Sequence, residues 1–246
     1  MASSSFPPAL PHGELAEVFP HVFFVTGGLG MAPLVSFSRN MVVVREDERL
    51  VIINSVRLDD AGLAALDALG RVTDVIRIAG FHGRDDPFYK DRYGAKVSVV
   101  EGMSYFRGFA KKPGEAPYFE ADATLAAGQE LPLRGATLHP FGTRPPEALL
   151  RLPHAGGILV AGDCLQNWGR TDRYFSLVGK LMMRSMGFIK PHNLGPGWVK
   201  AAKPKTEEVR AILELEFEHV LPAHGAAVVG GAKEKYRAVI EGYAGT

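Results

Sequence analysis

The chain has 246 residues and a net charge of +1; 46% of its residues are hydrophobic and 22% charged. That is the balance of a globular chain able to bury a sizeable core, and a charge so near zero offers no overall field for nucleic acid or an anionic membrane surface. The single cysteine, Cys164, excludes an intramolecular disulfide.

The first twenty residues, rich in Ser and Pro, read as a loose arm. They lack the basic start and apolar run of a secretory signal, and no later segment is long and apolar enough to span a bilayer. The expectation is a cytoplasmic protein with one domain over residues 21–246. From His21 the chain reads as strands: "HVFFVTG", "LVSFSRNMVVVRE" and "RLVIINSV" are β-branched and aromatic, with a hairpin turn at 45–49. The "TGGLG" at 26–30 lacks the Lys-Ser/Thr of a phosphate loop and reads as a flexible loop. "LDDAGLAALDALG" (58–70) is a helix, capped by Asp59 or Asp60 and ended by Gly70. "VTDVIRIAG" is a buried strand. "DPFYKDRYG" is a short helix with Pro87 at its first position and Gly94 at its end. "AKVSVVEG" is again a strand.

Residues 101–118 read as irregular. Short strands follow in 118–141, then in "EALLRL" and "GGILVAGD". The stretch 171–189 reads as a helix with Tyr174, Leu177, Val178, Leu181 and Met182 on its packing side. "KPHNLGPGWVKAAKPK" reads as a Pro- and Gly-rich loop, "TEEVRAILELEFEH" as a helix capped by Thr206, and "VLPAHG" as a strand. "GAKEKYRAVIEGY" closes the chain as an amphipathic helix. Strands followed by helices, twice over, point to two packed sheets with helices outside.

Three stretches share one pattern: "VIRIAGFHGRDD", "GGILVAGDC" and "EHVLPAHG" each run from an apolar strand into a loop with a metal-capable side chain. Loops at strand ends are where scaffolds present functional groups. The groups are His82 and Asp86, Asp163, and His224. If they converge, two imidazoles and two carboxylates suit zinc, iron or manganese. Cys164 reads as a packing residue, since no base stands near it in sequence.

The order and spacing of these stretches resemble the metallo-β-lactamase superfamily, over nearly the whole chain from His21. The resemblance implies an α/β, four-layer αββα sandwich, two mixed sheets face to face, with up to two metals at one sheet edge. It implies a strand-to-helix loop of pattern H-x-H-x-D-H. Here His82 matches the first histidine, Arg84 stands where the second belongs, Asp86 matches the aspartate, and Pro87 replaces the next histidine. The later histidine aligns with Gly142, with His139 out of register. Asp163 matches the bridging aspartate and His224 the last histidine, while Asn54 stands for the usual aspartate of the early strand. The implied metal ligands are therefore His82, Asp86, Asp163 and His224, with Asp163 and Asp86 as the catalytic carboxylates of an incomplete site.

Two readings follow. In one, a single divalent metal (zinc, manganese or iron) activates water against an ester, thioester, amide or phosphodiester of a small-molecule substrate. Arg84, Trp168, Tyr174, Lys190, His192 and Trp198 then line the substrate. In the other, no metal is held: a guanidinium cannot ligate a metal, and Arg84 replaces the metal charge by pairing with Asp86 and Asp163 in a non-catalytic protein that binds a small molecule or a partner. Neither nucleic acid nor membrane is expected as a partner, and the pattern leaves the oligomeric state open.

Overall fold

The computed structural model describes residues 6–106 and 114–245. Seven strands form the first sheet, in sequential order: β1 (Ala16–Phe19), β2 (Val22–Ala32), β3 (Val35–Glu46), β4 (Arg49–Ile53), β5 (Arg71–Arg77), β6 (Lys96–Val100) and β7 (Ala123–Leu125). The first four pair antiparallel and β4 to β7 pair parallel. The change comes where α1 (Asp60–Leu69) and α2 (Asp86–Tyr93) supply the crossovers that parallel pairing needs. The second sheet has the order β13 (His219–Pro222), β10 (Ile158–Ala161), β9 (Glu147–Leu152), β8 (Thr137–Phe141).

Burial follows the two-residue period of the second sheet. Leu150, Leu152, Ile158, Val160 and Leu221 join the first sheet's Val43, Ile52 and Val75 in the main core. Their neighbours Leu149, Leu159, Ala161 and Val220 face the other way. There they meet Trp198, Val209 and Tyr236, from α4 (Pro196–Ala202), α5 (Thr206–Arg210) and α6 (Ala232–Glu241). With Leu66 of α1 and Tyr89 of α2 buried against the first sheet, the layers are helix, sheet, sheet, helix. In β3 the run Met41–Val44 is buried on both faces, because this sheet is covered on both sides.

Several expectations change. Residues 1–5 of the expected loose arm lie outside the described residues, but its remainder is not loose: β1 pairs with β2, Gly28 N donates to Pro11 O and Gly13 N to Thr26 O. "TGGLG" is not a loop but the continuation of β2, paired with residues 36–40 of β3. Its glycines look loop-like in sequence, yet they serve close packing: a Cβ at Gly27 would lie 2.6 Å from Val56. Of the irregular stretch expected over 101–118, residues 107–113 lie outside the described residues.

The helix expected over 171–189 is the shorter α3 (Leu177–Ser185), capped by Ser176, whose Oγ accepts from Gly179 N. Its packing side also differs from the expected one: Gly179 and Met183 are buried and Met182 packs partly beside them, whereas Leu177 is 84% and Leu181 73% exposed. Periodicity fixed the spacing of the apolar residues; contact with β3 chose the face. The expected loop at 190–205 contains β12 (Asn193–Leu194), paired with β11 (Leu165–Gln166), and then α4, which has Pro196 at its first position. Thr206 is the first residue of α5 and not its cap, and the helix ends at Arg210 before a 3-10 turn. Among the described residues no helix is long and apolar enough to cross a membrane.

Candidate metal centre

Parallel pairing brings two of the three chemical loops side by side. Ala161 of β10 is in register with Pro222 of β13, so the chain leaves both strands at one rim and places Asp163 and His224 two residues later. The third loop comes from the other sheet. Ala148 N donates to Ile78 O, and Ala79 bridges Glu147, so the end of β5 is stitched to the start of β9. His82 follows. A link from β3 closes the frame: Asn40 Nδ2 donates to Pro222 O and Gly225 O, at 2.8 and 2.7 Å.

The result is a compact group of His82, Asp163 and His224, whose ligand atoms lie within 4.8 Å of one another. His82 Nε2 is 3.3 Å from one Asp163 carboxylate oxygen and His224 Nε2 is 3.2 Å from the other. All three residues are buried. The Asp163 loop turns back tightly: Gly195 N donates to Cys164 O, and a Cβ on Gly195 would fall 1.9 Å from Asp163 O, a distance only glycine permits. Behind the group, Trp168 lies 4.8 Å from the His224 ring and donates from Nε1 to Ser38 Oγ; Phe37 and Phe175 complete the wall.

His224 Nδ1 is 3.0 Å from Ser38 O. A carbonyl only accepts, so Nδ1 carries the hydrogen and a neutral His224 turns the lone pair of Nε2 towards Asp163. A lone pair facing a carboxylate oxygen at 3.2 Å requires a cation between them, either a proton or a metal. His82 Nδ1 and Asp163 Oδ2 are buried without a hydrogen-bond partner, so the group is incompletely satisfied by protein alone.

Burial would raise the Asp163 carboxyl, but His82 and His224 beside it overcome this and hold it below the usual carboxylate range. Burial lowers His82 below the ordinary histidine value in spite of Asp163. Glu147, buried next to the same loop and accepting from Cys164 N, is raised well above its ordinary value, by burial first and then by the Asp163 charge. An ionised Asp163 beside a His82 imidazole whose protonation burial disfavours suits a divalent cation, whose ligands must be deprotonated. Cys164 is pushed up by burial and by Glu147, which leaves it no thiolate character.

His82 gives a pH prediction. Its folded pKa lies below the unfolded value of 6.5, so the unfolded chain binds the extra proton. Stability is therefore full above that value and is lost as pH falls through the folded pKa. Chelator-treated protein should show a urea midpoint that drops on acidification below pH 6.5. His82→Gln should flatten that slope relative to wild type; equal slopes would rule out His82 as the source.

Other expected site residues lie elsewhere. Asp86 is turned away from the group: one carboxylate oxygen accepts from Ser55 Oγ and the other from Tyr105 OH, both at 2.5 Å, and burial raises its pKa. Its place at the start of α2 points it into this internal network, so the expected ligand and catalytic role is corrected. Arg84 is corrected likewise. It is exposed, its Nη1 reaches Gly30 O at 3.4 Å, and it pairs with neither Asp86 nor Asp163. The buried arginines of this region are Arg39, which pairs with Asp85, and Arg77, which donates to Ala79 O and Gly80 O.

Of the expected substrate contacts, Trp168 is only 1% exposed and backs His224. Trp198, equally buried, packs on Phe141 in the core beneath α4. Neither can line a substrate. Tyr174 is half-buried and accepts from Arg173; Lys190 is exposed; His192 is half-buried with its ring against Tyr236. The residues that sequence reasoning missed, Ser38, Arg39 and Asn40, had a signal: three polar residues in succession inside a strand otherwise built for burial.

No family model matches the chain, and no curated protein does. Solved structures do. VMB-1 superposes with a TM-score of 0.62 at 12% identity, covering 96% of this chain and 98% of that one. The metallo-β-lactamase FIM-1 from Pseudomonas aeruginosa, in a mono-zinc form, gives 0.60 at 15% identity, covering 96% and 97%. A metallo-β-lactamase from Hirschia baltica gives 0.57 at 16% identity, covering 92% and 97%. The chain has the metallo-β-lactamase fold. Within that metallo-β-lactamase fold, the expected two-sheet sandwich is present end to end, and the candidate centre sits at the rim where the parallel strands β10 and β13 end.

Proposed function

We propose that the chain is a hydrolase with a single divalent cation, zinc, manganese or iron, held by His82, Asp163 and His224. The observation that carries this reading is the His224 tautomer: Ser38 O fixes the hydrogen on Nδ1, so Nε2 and the Asp163 carboxylate both present lone pairs to the same space. Three protein donors with an open position make a working site of the catalytic kind. A cation bound there supplies Lewis acidity, polarising a carbonyl or phosphoryl oxygen and acidifying water. The chain's own residues do the rest. Asp163 supplies the neutralising charge. His82 stays unprotonated because it is buried. Glu147, with its pKa raised, keeps a second negative charge off the Asp163 loop. The Phe37–Trp168–Phe175 wall keeps water from behind His224.

The reading takes a small molecule as substrate, an ester, thioester, amide or phosphodiester, in a cytoplasmic protein with neither nucleic acid nor membrane as partner; the near-zero net charge supports that choice. Elemental analysis of the purified chain should find one equivalent of metal, and chelation should abolish hydrolysis of such a substrate. A chain that carries no metal as purified and takes up neither added zinc nor manganese overturns the reading.

A further inference from the structure

A cavity of about 250 Å³ opens beside the loop that carries His82. It is a little below the usual range for small-molecule pockets, roughly 300–1,000 Å³. Arg39, Arg57 and Arg84 line it against one carboxylate, Asp85, and the N-terminal segment closes one wall with Pro8 and Leu10. That leaves an excess of two positive charges. Asp85 cannot neutralise it, because its Oδ2 already receives both Arg39 Nη2 and the backbone N of Arg57.

The guanidinium of Arg57 rests on the Phe88 ring, 3.3 Å from its centroid, and its Nε is buried without a partner. It forms no ion pair among the described residues, and burial lowers its pKa against the opposing pull of Asp85. Arg84 has only the 3.4 Å contact with Gly30 O. Arg39, 5% exposed, gives Nη2 to Asp85 and Nη1 to Ser55 O, while its Nε is unpartnered. A stacked, partly desolvated guanidinium with free donors is the arrangement that recognises oxyanions in bidentate fashion.

We propose that this cavity binds the phosphate group of a phosphorylated small molecule, with Arg57 and Arg84 donating to it and the Arg39–Asp85 pair forming its floor. The excess charge selects the class: a phosphate monoester carries about −1.5 to −2 at neutral pH and balances it, whereas a monocarboxylate does not. The site does not require the hydrolase reading, and its link to the metal centre is Arg39, whose charge also acts on His82.

The test is calorimetric titration of the purified full chain with inorganic phosphate, repeated after chelator treatment and with acetate in place of phosphate. Saturable phosphate binding with a Kd near or below ~1 mM is expected, unchanged by chelator, with acetate much weaker. Arg57→Gln and Arg84→Gln should each weaken phosphate at least tenfold, with circular dichroism confirming the fold; Arg84 is on the surface, so its variant folds. No saturable binding up to about 10 mM overturns the proposal. So does binding abolished by chelator, which would place phosphate on the metal, equal binding of acetate, or wild-type affinity in both variants. Failure here leaves the metal assay untouched, and a metal-free protein leaves this titration untouched.

Discussion

Asp163→Asn should abolish metal binding while the protein stays folded. Asp163 lies between the two imidazoles, one carboxylate oxygen near each. An amide of the same shape carries no charge to offset a dication, and its Nδ2 would donate to whichever Nε2 it faced, tying up a ligand atom. Loss of an outer partner of a metal ligand costs about 10- to 100-fold in affinity; loss of the sole charged ligand should exceed the upper figure. The fold should survive, because the Asn can donate to one imidazole and accept from the other; a change within about 1–2 kcal/mol is expected. Zinc or manganese titration with circular dichroism checks both halves. Wild-type affinity in the variant would remove Asp163 from the centre.

Trp168→Ala should be the most damaging single substitution at the site's periphery. Trp168 is 1% exposed and packs on Phe37, Phe175, Phe188 and His224. Its truncation leaves a void lined by aromatic rings and deprives Ser38 Oγ of its donor. Such losses cost about 3–5 kcal/mol, a large share of the roughly 5–15 kcal/mol available to a native domain. With the wall gone, the His224 ring can tilt, so metal affinity should fall about tenfold as well, as when an outer partner is lost. Trp168→Phe should recover most of the stability but not the indole hydrogen bond. Denaturant midpoints measure the first effect; a loss below about 1 kcal/mol would show that the wall relaxes and closes.

Much of this arrangement is legible along the chain. The strands, the α1 caps and the "GD" and "HG" loops depend on neighbours in sequence, and so does the pattern that singles out His82, Asp163 and His224. Asp86 shows the limit. Its spacing from His82 is that of a ligand, yet Ser55, 31 residues away, and Tyr105, 19 away, claim both its oxygens. Arg84 shows it again. Its place in the motif aimed it inward, but the carbonyl of Gly30 lies within its reach, and the buried positions belong to Arg77 and to Arg39, the latter 46 residues from its partner Asp85.

The sequence by itself determined most of the strands and helices, that apolar strands end in loops bearing imidazole and carboxylate groups, and that Cys164 has no disulfide partner within the chain. Only the tertiary structure decided which of those groups meet, which face α3 buries, and which arginine is enclosed. The physical reason is range: helix period, strand alternation and capping act over a few residues, whereas the direction of a side chain at a strand end is set by donors and acceptors that other strands bring to it.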